Sequence, residues 1–199
     1  MTRVRAVLAS TNEHKLREFR ALLREWEIEP LETGAMPEET GATFYENARA
    51  KARFGHAAVA ADAWTLGEDS GLEVEGLGGR PGIRSARYAG PDATDGDNVA
   101  RLLAELAGVE GDARRARYVC ELVCLSPARE EFRGTGTLAG RIANDSRGEC
   151  GFGYDPVFVP EGLVRTVAEL GDTWKGEQSH RARATRALLE AMNAAADGL

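Results

Sequence analysis

Val4-Arg5-Ala6-Val7-Leu8-Ala9-Ser10-Thr11-Asn12-Glu13-His14-Lys15-Leu16-Arg17-Glu18-Phe19 decides the fold class. The apolar run from Val4 to Ala9 reads as a strand, ended by a turn at Ser10-Thr11-Asn12. Leu16, Phe19, Leu22 and Leu23 then recur at helical spacing, so a helix follows, capped by Asn12 and with apolar positions ending near Trp26.

Outward from this unit the alternation continues. Thr43 and Glu46 have the spacing of a capping box, and the Ala-rich stretch from Glu46 to Ala61 predicts a long helix with a weak point at Gly55. Between the two helices, Thr33 to Gly41 reads as an acidic loop. Thr65-Leu66 and Leu72-Glu73-Val74 read as short strands flanking an acidic turn at Gly67 to Gly71, with a loop over Gly76 to Gly82. Asn98 to Leu106 has a helical pattern, Arg117 to Leu125 that of a strand, and Glu131 to Ala143 that of its antiparallel partner. A glycine-rich loop over Arg147 to Asp155 and a helix over Ser179 to Ala196 complete the chain. Strands and helices alternate without repeats or low-complexity linkers, which predicts an α/β fold with a mixed sheet in one domain spanning residues 1–199.

Composition narrows the function classes. A net charge of -7 argues against nucleic acid as the main partner, because polyanion binding draws on a basic face; a small phosphorylated ligand needs only a few placed cations and a metal. Cys120, Cys124 and Cys150 are an odd number with no Cys-x-x-Cys pair, which disfavours a disulfide framework. The apolar start is too short for a signal peptide and no segment reaches the roughly 20 apolar residues of a membrane span, so a cytoplasmic protein is expected, with no membrane partner.

Four segments carry groups suited to phosphate chemistry, and each also has a purely structural reading. Ser10, Thr11, Asn12, Glu13, His14 and Lys15 lie at a strand-to-helix turn, where backbone N–H groups and the helix dipole favour phosphate; a capped connection would look the same. Glu38 and Glu39, with Glu68 and Asp69, supply the hard carboxylates magnesium prefers, or simply solvated loops. In Gly151-Phe152-Gly153-Tyr154-Asp155-Pro156 two glycines allow close approach of a ligand and two aromatics offer a stacking face, or plug the core. Lys175 with Ser179-His180-Arg181 could hold phosphates and a purine edge, or be a charged surface helix start.

Together these blocks resemble the inosine triphosphate pyrophosphatase family, the dITP/XTP pyrophosphatases. The similarity runs through the 10–15 loop, Glu39-Thr40-Gly41-Ala42-Thr43-Phe44, Glu46-Asn47-Ala48, Lys51-Ala52 and Asp69-Ser70-Gly71-Leu72. It continues through Gly78-Gly79-Arg80-Pro81-Gly82, Ser85-Ala86-Arg87-Tyr88, Gly151 to Pro156, Thr166 to Leu170, Lys175 and Ser179-His180-Arg181.

The resemblance implies a two-lobed α/β fold with a long central mixed sheet, a deep cleft between lobes, and a homodimer. It implies a magnesium-dependent hydrolase of purine nucleoside triphosphates, with Asp69 as general base and Glu39 and Asp69 as metal ligands. The 10–15 loop and Lys175 would hold phosphates, with Lys51 a further phosphate candidate. Phe152, Gly153, Tyr154, Asp155, His180 and Arg181 would surround the base, and Ser70 would contact substrate beside the metal. Glu68 stands where an Asp is more usual, and Glu13 puts negative charge near a phosphate loop, so its side chain is expected to face solvent. A pyrophosphatase for modified pyrimidine triphosphates and a nucleotide-binding regulator without turnover are the rival readings.

Overall fold

The computed structural model describes residues 4–33, 36–59 and 62–197. In chain order the elements are β1 (Val4–Leu8), α1 (Glu13–Leu22), β2 (Trp26–Pro30), α2 (Phe44–Ala58), β3 (Trp64–Val74), α3 (Asp95–Glu105), β4 (Arg115–Leu125), β5 (Glu131–Ile142), β6 (Phe158–Pro160), α4 (Val167–Gln178) and α5 (His180–Asp197). The strands form one six-stranded sheet in the order β2-β1-β3-β4-β5-β6. Strand β1 runs parallel to β2 and to β3, with Ala6 opposite Trp64 and Leu8 opposite Leu66, whereas β5 and β6 are antiparallel. The sheet is therefore mixed, as expected.

Several boundaries differ from the sequence reading, each for a physical reason. Trp26 does not end the first helix: α1 stops at Leu22 and Trp26 opens β2, an edge strand in which Trp26 and Ile28 alternate with Glu27 and Glu29. The stretch expected as a turn at Gly67 to Gly71 is the middle of β3, an uninterrupted 11-residue strand in which Glu68 and Asp69 are buried and ion-paired. Helix α3 begins at Asp95, ahead of Asn98, because Thr94 and Asp97 close a capping box there. Helix α4 carries a non-helical Gly171 (φ 83°), which breaks the apolar periodicity that would have announced it. The last three residues expected in the second helix, Val59, Ala60 and Ala61, include two outside the described residues; α2 itself ends at Ala58. The expected acidic loop over Thr33 to Gly41 also includes two, Gly34 and Ala35, outside the described residues.

The chain divides into two compact units: Met1–Asp69, Cys120–Gly136 and Arg181–Leu199 make the first, Ser70–Val119 and Thr137–His180 the second. In the first, strand alternation sends side chains to two layers. Ala6, Leu8, Leu66, Cys120, Leu122 and Cys124 pack with Phe19 of α1, with Leu23 just past its end, and with Ala184 and Leu188 of α5. On the other side, Val123 and Leu125 meet Ala48 and Ala52 of α2. In the second unit Leu72, Val74, Tyr118, Leu138, Ile142 and Phe158 close over Val99 and Leu102 of α3 and over Leu106 just past its end. Cys120 and Cys124 are buried free thiols and Cys150 is exposed. Burial pushes both buried thiols well above the usual range. Among the described residues no helix is long and apolar enough to cross a membrane.

Candidate active site

In the first unit the chemistry is built around β3, whose successive side chains point to opposite sides. Gly67 faces α2 at very close range: a Cβ there would lie 2.1 Å from the Ala48 carbonyl oxygen and 2.3 Å from the Ala52 nitrogen. That close seating lets Asn47 and Lys51, four residues apart on one face of α2, reach Asp69. Asn47 Nδ2 donates to Asp69 Oδ2 at 3.0 Å while its own Oδ1 accepts from the Gly41 N–H at 2.9 Å. Lys51 Nζ bridges three acceptors: Glu39 Oε1 at 2.5 Å, Asp69 Oδ1 at 3.2 Å and the Glu68 carbonyl at 3.2 Å. Of the two glutamates in the acidic loop, Glu39 is drawn in and Glu38 is exposed.

Burial pushes the Asp69 carboxyl above its ordinary range, against the opposing pull of Lys51 and Lys15. For Lys51 burial acts downward, but the Asp69 and Glu39 carboxylates outweigh it and hold the ammonium more firmly protonated than usual.

Glu68 points the other way, toward α1 and α5. Its buried carboxylate meets Lys15 Nζ at 2.7 Å and Arg181 Nε at 3.1 Å, and accepts from the Cys120 thiol at 3.6 Å. Arg181 Nη1 also meets Glu18 Oε2 at 3.0 Å. Lys15 is placed by the start of α1, where Asn12 Oδ1 accepts from the Lys15 N–H at 3.1 Å and Ser10 Oγ from the Asn12 N–H at 3.2 Å. Thr11, Glu13 and His14 are exposed, Glu13 as expected, and His14 Nδ1 lies 3.2 Å from Arg17.

The second unit holds the remaining residues, with Ser70 half-buried at its start. Asp155 is the hub: Oδ2 accepts from Lys175 Nζ at 2.7 Å and from the Phe152 N–H at 3.0 Å, and Oδ1 from the Tyr118 hydroxyl at 3.2 Å. The Lys175 ammonium lies 4.7 Å from the centre of the Phe152 ring. Gly151 (φ 83°) is required twice over, since a Cβ would stand 2.1 Å from Asp155 Oδ2. The backbone N–H of Gly153 donates to Asp95 at 2.7 Å. The His180 ring stacks on Tyr118, centroids 4.5 Å apart and 10° from parallel.

Lys175 is ion-paired with Asp155 beside the Phe152 ring. Arg181 is tied to Glu68 and Glu18. Tyr154 offers no stacking face: it is 4% exposed, packs in the core and donates its hydroxyl to the Ser85 carbonyl at 2.8 Å. Asn47, Glu18 and Tyr118 were not singled out from sequence. For Asn47 the signal was present, four residues before Lys51 on the same helix face; the other two depend on tertiary pairing.

The matched family is the Ham1 family, whose model covers residues 6–191, and the chain belongs to it. A Bdellovibrio bacteriovorus protein named dITP/XTP pyrophosphatase is 46% identical over 189 residues, covering 92% of this chain and 94% of its own length. A Methylococcus capsulatus protein of the same name is 44% identical over 202 residues, covering 98% and 100%. Among solved structures, a HAM1 protein from Coxiella burnetii is similar with a TM-score of 0.84 at 36% identity, covering 96% of this chain and 99% of that one.

Proposed function

We propose that this chain hydrolyses nonstandard purine nucleoside triphosphates, dITP, ITP and XTP, to the monophosphate and pyrophosphate, and so keeps deaminated purines out of DNA and RNA. The observation that carries the reading is the convergence of Glu39, Asp69 and Lys51, and the names of the relatives at 44–46% identity support the substrate class.

Magnesium fits this donor set. Glu39 and Asp69 bring hard carboxylate oxygens to one ammonium, and among the described residues no group of three or more His, Cys, Asp or Glu forms a complete metal cage. That is the usual magnesium arrangement, one or two carboxylates with substrate phosphates completing the shell. When bound, the ion neutralises phosphate charge and makes a water more acidic. The local charge calls for it: Lys15, Lys51 and Arg181 face Glu18, Glu39, Glu68 and Asp69, so carboxylates outnumber cations before a polyanion arrives.

Asp69 orients the attacking water and takes its proton as the water oxygen bonds to the α-phosphorus. The bond from that phosphorus to the bridging oxygen breaks, and pyrophosphate leaves with the electron pair. Asn47 and Lys51 hold the Asp69 carboxylate in register, and Lys15 with the 10–15 turn binds phosphate. Phe152 offers the purine a stacking face, and Lys175 a donor for a 6-keto oxygen. Adenine would present an amino group to that donor, a mismatch that costs orders of magnitude in rate. The 199 residues act as one pyrophosphatase domain, in a cytoplasmic homodimer.

Hydrolysis of dITP in labelled water tests the chemistry: label is expected in the monophosphate, and label in pyrophosphate would refute attack at the α-phosphorus. Asp69→Asn should fold and lose about 10²–10⁴-fold in kcat, the usual contribution of a general base. An unchanged rate would leave the protein a binder or a different enzyme, and a higher kcat/KM for a pyrimidine triphosphate would displace the purine reading.

A further inference from the structure

We infer that Glu68 is a positioning residue for substrate-binding cations, Lys15 above all, and not a ligand of the metal; the inference rests on the hydrolysis reading above. Glu68 and Asp69 are neighbours in a continuous strand, so their side chains leave β3 on opposite sides. Asp69 joins α2 through Asn47 and Lys51. Glu68 joins α1 through Lys15 and α5 through Arg181.

Both carboxylate oxygens of Glu68 face a cation. Oε2 is ion-paired with Lys15 at 2.7 Å without hydrogen-bond geometry, and Oε1 accepts from Arg181 at 3.1 Å and from the Cys120 thiol at 3.6 Å. The side chain is fully buried, Lys15 is 16% exposed and Arg181 5%. A metal at Glu68 would sit against two cations, Lys15 and Arg181, whereas at Asp69 it meets one ammonium, which Glu39 shares, and a neutral amide. A charge row therefore runs Lys15, Glu68, Arg181, Glu18, its outer members Lys15 and Glu18 one helical turn apart on α1. The buried anion at its centre keeps two cations close that would otherwise repel each other.

Lys15 is the member left to meet substrate. Its ammonium is partly exposed, and its stem leaves the helix at a capped N-terminus that favours phosphate. Fixing this point charge in advance avoids the ordering cost of a flexible lysine at the moment of binding. A glutamate in place of the shorter aspartate gives the carboxylate the reach to touch both α1 and α5.

The test compares wild type, Glu68→Gln, Glu68→Asp, Lys15→Ala and the Glu68→Gln/Lys15→Ala double variant, with dITP kinetics at saturating magnesium, a magnesium titration, and calorimetric dITP binding in EDTA. Circular dichroism checks folding; Glu68→Asp keeps the charge and provides the reading should Glu68→Gln unfold. Glu68→Gln should raise KM for dITP about ten- to a hundredfold, the loss typical when a charged orienting partner is removed, with a smaller change in kcat. Half-saturating magnesium should stay within about twofold, and metal-free dITP binding should weaken in parallel with KM. Glu68→Asp should recover part of the loss, and the double variant should be close to Lys15→Ala alone, since coupled residues are not additive. A raised magnesium requirement with unchanged KM, or independent multiplying effects of the two substitutions, would overturn the inference. Failure of the wild type to hydrolyse dITP, ITP or XTP would instead strike the function reading, and is seen before any variant is compared.

Discussion

Asp155 anchors the polar cluster of the second unit. Three donors converge on its carboxylate, from Lys175, Tyr118 and the Phe152 backbone, and it is only 3% exposed. Its negative charge pairs with the Lys175 ammonium beside Phe152, at a depth where a lone cation would be poorly solvated. Asp155→Asn keeps the shape and removes the charge that pairs with the buried Lys175. Urea denaturation should show a loss of about 3 kcal/mol, the scale of a buried pair broken on one side. A loss under about 0.5 kcal/mol would mean that the pair is open to water.

At the scale of elements, the seating of α2 on β3 decides whether the Asp69 cluster exists. Ala48 and Ala52 present backbone atoms to Gly67, and the residue just before each of them, Asn47 and Lys51, touches Asp69. Gly67→Ala places a methyl group where the helix backbone stands, so α2 must shift outward and take Asn47 and Lys51 with it. The expected cost is about 1–3 kcal/mol in unfolding free energy, the range for overpacking, together with a fall in kcat. A variant less stable but fully active would show that Lys51 and Asn47 reach Asp69 from a displaced helix.

The same strand marks the limit of what periodicity can reveal. β1 and α1 were legible from Val4 onward because β1 is a short apolar run closed by a turn and the apolar residues of α1 recur at helical spacing. Gly67 to Gly71 read as a turn because glycine, carboxylates and serine ordinarily mark one. Here the carboxylates stay buried through cations supplied by helices far away in sequence, a compensation no local window contains. Asp69, Glu39 and Lys15 were candidates by residue type and place, and a resemblance spread over many blocks gave them and Lys51 roles, whereas Glu68's partners and the ion pairs of Lys175 and Arg181 emerged only from the folded chain.

For the molecule as a whole, strands β3, β4 and β5 each contribute residues to both compact units, so a substitution in one of them is read in either unit according to where along the strand it falls. The placement of the three cysteines follows from this folding. Cys120 and Cys124 lie on one side of β4 with their thiols buried, while Cys150 is exposed one residue before Gly151. A thiol-reactive chromophore should therefore count one group in the native protein and three after denaturation. More than one in the native state would mean that the β4 layer opens on the assay timescale. The folded chain thus comes with a single addressable attachment point: a fluorophore fixed at Cys150 would sit on the loop leading to Phe152 and could report nucleotide arrival in the untouched sequence, with no cysteine engineered in or out.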